Sequence, residues 1–296
     1  MKNKKICILG AAGSIGSRLV TLLHKQGYEV TAVVRSWSSA VRIGRFDIPL
    51  VSLDVLSSSV DRLAEIIKGH DVVIDCTYSS NPDYDQRIIE SVTLAKTICN
   101  AAIQAQVKRL IHYGTISVYP ANASTVDETT QCIESGDSYG DSKLAAEQAF
   151  LKHNSKSLSI TVLQLPIVFG PFMAWSTSPV AQMSADELIM PDDLKGFCAP
   201  LFVDDVVRAT ELSFDCESSY GERILLSDTS ISWGDYYYSY TKHAEVLSLA
   251  FINRDEFEQR ASQALHRLKP FQTLNCLLYT SPSPRDLSTS RMPSSA

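Results

Sequence analysis

Several absences narrow the possibilities first. Seven cysteines are scattered through 296 residues, with no C-x-x-C pair and no histidine beside them at ligand spacing. That excludes a zinc ribbon and a dithiol redox motif. With no secretory signal to read, it points to reduced thiols in a cytoplasmic protein. No stretch approaches the roughly 18 successive apolar residues of a membrane span. The opening MKNKKICILGAAG imitates a signal peptide, but its apolar run is short and breaks into glycines and then Arg18. A basic excess is missing too: the net charge is −6, with acids and bases interspersed. Nucleic acid and anionic membrane are therefore not expected as partners. The six histidines (24, 70, 112, 153, 243 and 266) are spread among helices and strand ends. They read as structural, and no metal site is expected.

What remains is ordinary globular composition, 45% hydrophobic and 20% charged. The length suits one large α/β domain, or one and a half. Residues 276–296, CLLYTSPSPRDLSTSRMPSSA, have no apolar period and are dominated by Ser and Pro. Back-translated, CLLYTSPSPRD resembles a transposon-type sequencing adapter, and SRMPSSA resembles its translated end. The tail is read as non-native read-through, with the natural chain interrupted after Asn275.

The remaining chain alternates. Ile6–Leu9 is a short apolar strand running into glycines. Ser14–Gln26 carries Ile15, Leu19, Leu22 and Leu23 at helical spacing, and Val30–Val34 is a second β-branched strand. Strand, glycine turn, helix and strand make a βαβ unit with a right-handed crossover. The alternation continues through strands at 48–55, 71–76, 108–115 and 159–170. Helices are expected at 60–68, 84–106 and 139–153. Near-continuous Val, Ile and Leu in the strands indicates a parallel sheet covered on both faces. The expected fold is α/β, a doubly wound parallel sheet over 1–170, followed by a small, incomplete substrate-side region over 171–275.

Gly10, Gly13 and Gly16 fall between the first strand and the first helix. A glycine turn there lets the backbone approach a pyrophosphate, and the helix N-terminus offers it free N–H groups. At the end of the second strand VVRS presents Arg35 where a carboxylate would bind the ribose hydroxyls of NAD. A guanidinium there suits a 2′-phosphate, which favours NADP, with NAD the alternative. Arg35 could equally be a solvated strand-end charge. Asp54 could accept from the adenine amino group or belong to the cap of the next helix.

The stretch SYGDSK places Tyr139 and Lys143 one helical turn apart. Hydride transfer to or from a carbinol needs a proton shuttle, and a free tyrosine, with a pKa near 10, is a poor base. A cation about 4 Å away, at an effective dielectric of about 20, favours the phenolate by roughly 4 kcal/mol. That is about 3 pKa units. A second Tyr-x-x-x-Lys, at Tyr238 and Lys242, lies beyond the last expected strand.

Five pieces in order, GAAGSIG, HYGTISVYP, SYGDSK, LPIVFGP and FVDDVVRA, resemble the extended branch of the short-chain dehydrogenase/reductases. This branch is often called the NAD-dependent epimerase/dehydratase family, and the resemblance covers about Lys4 to Leu226. It implies a Rossmann fold and a catalytic trio of Thr115, Tyr139 and Lys143, with Thr115 holding the substrate oxygen and Lys143 also binding the nicotinamide ribose. It implies cofactor contacts at Gly10, Gly13, Ser14, Ile15, Gly16, Arg35, Asp54, Val55, Cys76, Thr77, Tyr139, Lys143, Pro166 and Val168. The partner implied is a small-molecule substrate, a nucleotide sugar or related polar metabolite. A homodimer would form through helices 84–106 and 139–153. The chain departs from the family pattern at Pro120 (usually Gly), Ser91 (usually Asn), Leu165 (often Arg) and Phe202 (usually His). The alternative is a non-catalytic dinucleotide-binding sensor on the same fold, against which an intact trio argues.

Overall fold

The computed structural model describes residues 4–120, 123, 125–184, 189–191, 196–241, 250–252, 256 and 259. The tail at 276–296 lies outside them. The chain divides into two units, each described by itself: one of residues 1–120, 127–165 and 203–226, the other of 121–126, 166–202 and the residues from 227 onward.

In the first unit, β1 (Lys5–Leu9) has four successive buried residues after an exposed Lys5, as a strand covered on both faces requires. It turns into α1 (Ser14–Lys25), which buries Leu19, Val20 and Leu23. Then follow β2 (Glu29–Val34), β3 (Leu50–Ser52), α2 (Val60–Ile67), β4 (Val72–Asp75), α3 (Tyr84–Gln104), β5 (Arg109–Thr115), α4 (Ser138–Lys152) and β6 (Ser159–Leu165). The side chains of Ser59, Asp83 and Asp137 cap α2, α3 and α4 by accepting backbone N–H groups.

The second unit takes up the chain with β7 (Ile167–Phe169), α5 (Ala174–Ser184), β8 (Ile189–Pro191), β9 (Phe197–Cys198) and β10 (Pro200–Phe202). The chain returns to the first unit with α6 (Val203–Leu212) and β11 (Arg223–Leu225), then leaves it for β12 (Ile231–Ser232), α7 (Trp233–Thr241) and β13 (Ala250–Ile252). The main sheet runs β11-β6-β5-β4-β1-β2-β3, every pair parallel. The doubly wound parallel sheet inferred from the pattern is thus the fold observed. Its order reverses between β1 and β4, the point where such sheets bind ligands beyond their strand ends. One apolar core joins Leu9, Val33, Leu63, Ile67, Val73, Ile98 and Leu110 with Phe150 and Ile160.

Two expected strands change. The third, expected over 48–55, is the short β3. The sixth, expected over 159–170, is interrupted at Pro166, which has no N–H to donate to a ladder. β6 ends before it, and β7 pairs with β10 in a separate two-stranded sheet. There Phe202, where the family pattern has His, lies opposite Phe169 with ring centroids 5.4 Å apart. The division of the chain does not follow a cut at 170, because 203–226 joins the first unit. The reasons are specific: β11 pairs with β6, and Asp204 at the start of α6 takes both Nε and Nη2 of Arg18 on α1, at 2.6 and 2.7 Å. Arg109 fastens the next segment, donating to the Ser213 carbonyl at 2.7 Å and to Ser219 Oγ at 2.9 Å, with Tyr220 stacked 4.5 Å from its guanidinium. In the second unit Trp233, Tyr236 and Tyr237 are buried with Cys198, against Ile167 and Trp175.

Glu147 on α4 is fully buried and ion-paired with Arg223 of β11. Gln164 Nε2 also donates to it, at 3.0 Å. A buried carboxylate stripped of its partner is strongly destabilising, whereas removing both charges is much less so. Arg223→Met is therefore expected to lower the unfolding free energy by about 3 kcal/mol in urea denaturation. Adding Glu147→Gln is expected to recover most of that loss.

Candidate active site

The glycine turn is built by close approach. Gly10 has φ +72°, in the region L side chains avoid, and a Cβ on it would stand 2.8 Å from the Cys76 carbonyl oxygen. A Cβ on Gly16 would stand 2.4 Å from the Gly10 carbonyl oxygen. The loop is therefore folded against the first turn of α1 and against the end of β4 at once. Gly13, the N-cap of α1, brings no side chain to the helix N-terminus, and the first turn holds no acid. This contrasts with the side-chain caps of α2, α3 and α4. The first-turn N–H groups of Ser14 and Ile15 face no capping group, and the positive end of the helix is open to an anion. These residues fit a dinucleotide pyrophosphate.

Gly10, Gly13, Ser14, Ile15, Gly16 and Cys76 thus come together at the switch point, and Thr77 follows, its N–H and Oγ1 both donating to Asp75 Oδ1 at 2.9 and 2.6 Å. Arg35 is exposed just past β2, and Val55 is buried. The Asp54 carboxylate accepts from the Leu56 N–H at 3.2 Å, so it caps its own turn, while the cap of α2 is Ser59. Pro166 and Val168 belong to the second unit.

Thr115 ends β5, is buried, and uses Oγ1 to accept from the Ser117 N–H at 3.2 Å. Tyr139 and Lys143 stand on successive turns at the start of α4. The helix start is pinned by two carboxylates. Asp137 accepts from the Gly140 N–H at 2.8 Å, and Asp141 accepts from Ser135 N–H (2.7 Å), Gly136 N–H (2.8 Å) and Tyr84 Oη (2.7 Å). Gly140 is closely packed: a Cβ there would stand 3.1 Å from the Ser117 carbonyl oxygen, tighter than an ordinary contact. This contact seats the start of α4 against the turn that follows Thr115.

Lys143 is half-buried and donates Nζ–H to the Tyr113 carbonyl at 3.0 Å. Burial lowers its pKa, opposed by Asp75, Cys76 and Glu147. Tyr78, which the sequence pattern did not single out, touches both members of the pair. Its ring meets that of Tyr139 edge-on at 6.4 Å and lies 5.8 Å from Lys143 Nζ. An aromatic just past a buried strand that ends at a switch point was the available signal. The second Tyr-x-x-x-Lys is not part of this cluster: Tyr238 is exposed on α7 of the other unit, and Lys242 lies outside the described residues.

A glycine-bearing nucleotide turn at the switch point of a doubly wound sheet, with a Tyr-x-x-x-Lys helix beside it, defines an NAD(P)-dependent enzyme of the short-chain dehydrogenase/reductase type. The model of the NAD dependent epimerase/dehydratase family matches residues 6–219, and the chain belongs to that family. It is similar to cinnamoyl-CoA reductase 2 of Arabidopsis thaliana, 25% identical over 252 residues, covering 78% of this chain and 75% of that protein. It spans just over half the length of other curated reductases it matches. Among solved structures it is similar in fold to the epimerase Mth375 of Methanothermobacter thermautotrophicus, with a TM-score of 0.75 at 21% identity, covering 85% of this chain and 80% of that one. It is likewise similar to the UDP-glucuronic acid 4-epimerase of Bacillus cereus in complex with UDP-glucuronic acid and NAD, with a TM-score of 0.72 at 22% identity, covering 84% and 86%.

Since the space beside Gly16 is already filled by the Gly10 carbonyl, Gly16→Ala is expected to weaken cofactor binding about 100-fold, near 2.8 kcal/mol. Fluorescence titration with NADPH and NADH checks this, with circular dichroism to show that the fold is kept.

Proposed function

We propose that the chain is an NAD(P)-dependent oxidoreductase or epimerase acting on a carbinol or ketone of a nucleotide sugar or related polar metabolite, with Thr115, Tyr139 and Lys143 as its proton relay. The observation that carries this is the seating of α4. The packing of Gly140 against the Ser117 carbonyl, two residues past Thr115, supports a Tyr139 close to that turn, with Lys143 one helical turn further on.

The bound cofactor supplies hydride transfer, and the protein's residues handle the oxygen. Thr115 Oγ1 holds the substrate oxygen, and the Tyr139 phenol gives or takes its proton. The Lys143 ammonium favours the phenolate and so brings the tyrosine towards neutral pH. The chemistry is supported by the family and by relatives named as reductases and epimerases.

Within this reading Arg35, a guanidinium at the end of β2 with no carboxylate in its place, favours NADP over NAD. A homodimer through 84–106 and 139–153 is proposed as well, and α3 carries the exposed Ile89 and Ile103 that such an interface would cover. The scattered thiols suit the reducing cytoplasm.

Side-by-side titration of NADPH and NADH on the parent chain, Arg35→Ala and Tyr139→Phe tests the assignment. NADPH is expected to bind the parent at least about tenfold more tightly than NADH, roughly 1.4 kcal/mol, and Arg35→Ala is expected to erase that margin. Tyr139→Phe is expected to bind the cofactor as the parent does while turnover falls about 1,000-fold. Equal binding of NADH by the parent would overturn the NADP preference. Retained turnover in Tyr139→Phe would overturn the relay.

A further inference from the structure

His112, read from sequence as structural, occupies an unusual position. It stands opposite Asp75 in the β4–β5 register, and the two are 2% and 1% exposed. Its Nδ1–H donates to Asp75 Oδ2 at 2.8 Å, while Asp75 Oδ1 takes the two bonds from Thr77. The ring is stacked on Phe150 of α4, with centroids 4.2 Å apart and planes 26° from parallel. Donation from Nδ1 leaves Nε2 of a neutral imidazole as an acceptor. Burial, the dominant influence, lowers the His112 pKa and favours that neutral form; the Asp75 bond opposes it. Nε2 is buried and has no hydrogen-bond partner among the described residues, a condition that calls for one. His112 lines a small cavity of about 10 Å³ with a mixed lining: Asp75, Thr77, Ser91, Ser142 and Lys143 bring polar groups to it, and Leu94, Ala146 and Phe150 apolar ones. That volume is about the room of one water. Lys143 Nζ, with three donors, has given one to the carbonyl of Tyr113, the neighbour of His112.

We propose that Asp75 and His112 are positioning residues for the relay. A single water bridging His112 Nε2 and Lys143 holds the ammonium, and the Asp75 carboxylate is its buried counter-charge. The proposal rests on the reading of Tyr139 and Lys143 as the relay, and no proton passes along the Asp75–His112 pair.

The groups facing Lys143 are Asp75 and Cys76 from β4, His112 from β5, Tyr78 beyond β4, and Glu147 on its own helix. Burial raises the Cys76 thiol, which stays neutral, and Glu147 is paired with Arg223. Tyr84 and Asp141, near Tyr139, are bonded to each other. Among the described residues this leaves Asp75 as the carboxylate that balances Lys143. With that charge removed, Lys143 loses its proton before Tyr139 does, and the phenol, left without a cation beside it, ionises nearer the ordinary tyrosine range.

The test needs neither substrate nor cofactor. The ultraviolet phenolate titration of Tyr139 is taken as the difference between the full chain and its Tyr139→Phe variant. In an Asp75→Asn background this transition is expected to move up by about one pH unit, while Asp235→Asn, in the other unit, leaves it in place. Nitrogen-resolved histidine NMR of the unsubstituted chain is expected to show His112 as the neutral Nδ1–H tautomer, and it decides the matter if Asp75→Asn does not fold. An unmoved transition in Asp75→Asn, or a protonated Nε2, would overturn the proposal alone. No Tyr139 transition below the ordinary tyrosine range in the parent would overturn the relay, and this proposal with it.

Discussion

Everything in the first unit is arranged around one steric fact: three backbone segments meet at the switch point with no room for a side chain between them. The Gly10 carbonyl occupies the space where a Gly16 side chain would begin, and the Cys76 carbonyl occupies the space beside Gly10. This contact locks the end of β1, the first turn of α1 and the end of β4 into one surface. It also leaves the N-terminus of α1 without a side-chain cap, the electrostatic condition for binding an anion. The same compression that would make these positions intolerant of substitution is what would let a cofactor reach the backbone.

α4 is the second organising element, and its composition explains why a stretch of small polar residues can be demanding. In SYGDSKLAAEQAF, Gly140 permits contact with the Ser117 carbonyl, and Asp141 gathers the preceding loop and Tyr84. Glu147 anchors the helix to β11, and Phe150 packs on His112. The helix that carries Tyr139 and Lys143 is held from four directions, so the positions of the proposed relay would be set by packing before any ligand arrives. Preorganisation of this kind lowers the cost of orienting a reacting group.

Buried charge recurs in this unit, and each instance is answered locally. Glu147 has Arg223, Arg109 has carbonyls, hydroxyls and the face of Tyr220, and Asp75 has His112 and Thr77. Such groups are costly to bury alone and tolerable when fully bonded. One buried polar atom left without a partner among the described residues, His112 Nε2, shares a cavity with Lys143 of the proposed relay. Local rules of protein architecture are most often broken at functional sites.

The alternation of apolar strands with amphipathic helices was enough to read the doubly wound sheet, because burial on both faces forces continuous Val, Ile and Leu. The glycine spacing and the Tyr-x-x-x-Lys pair were equally legible, since both are local patterns set by backbone geometry over a few residues. Tertiary structure alone decided the rest. Pro166 ends β6 and starts a strand in another sheet, while β11 returns to the main sheet after a long excursion; neither long-range pairing leaves a local mark. Tyr78 meets Tyr139 and Lys143 only once α4 packs beside the end of β4, and Asp75 meets His112 only because β4 and β5 align in a particular register. A histidine on an apolar strand reads as core until its neighbour across the sheet is known. Register is a property of two strands, and no single segment encodes it.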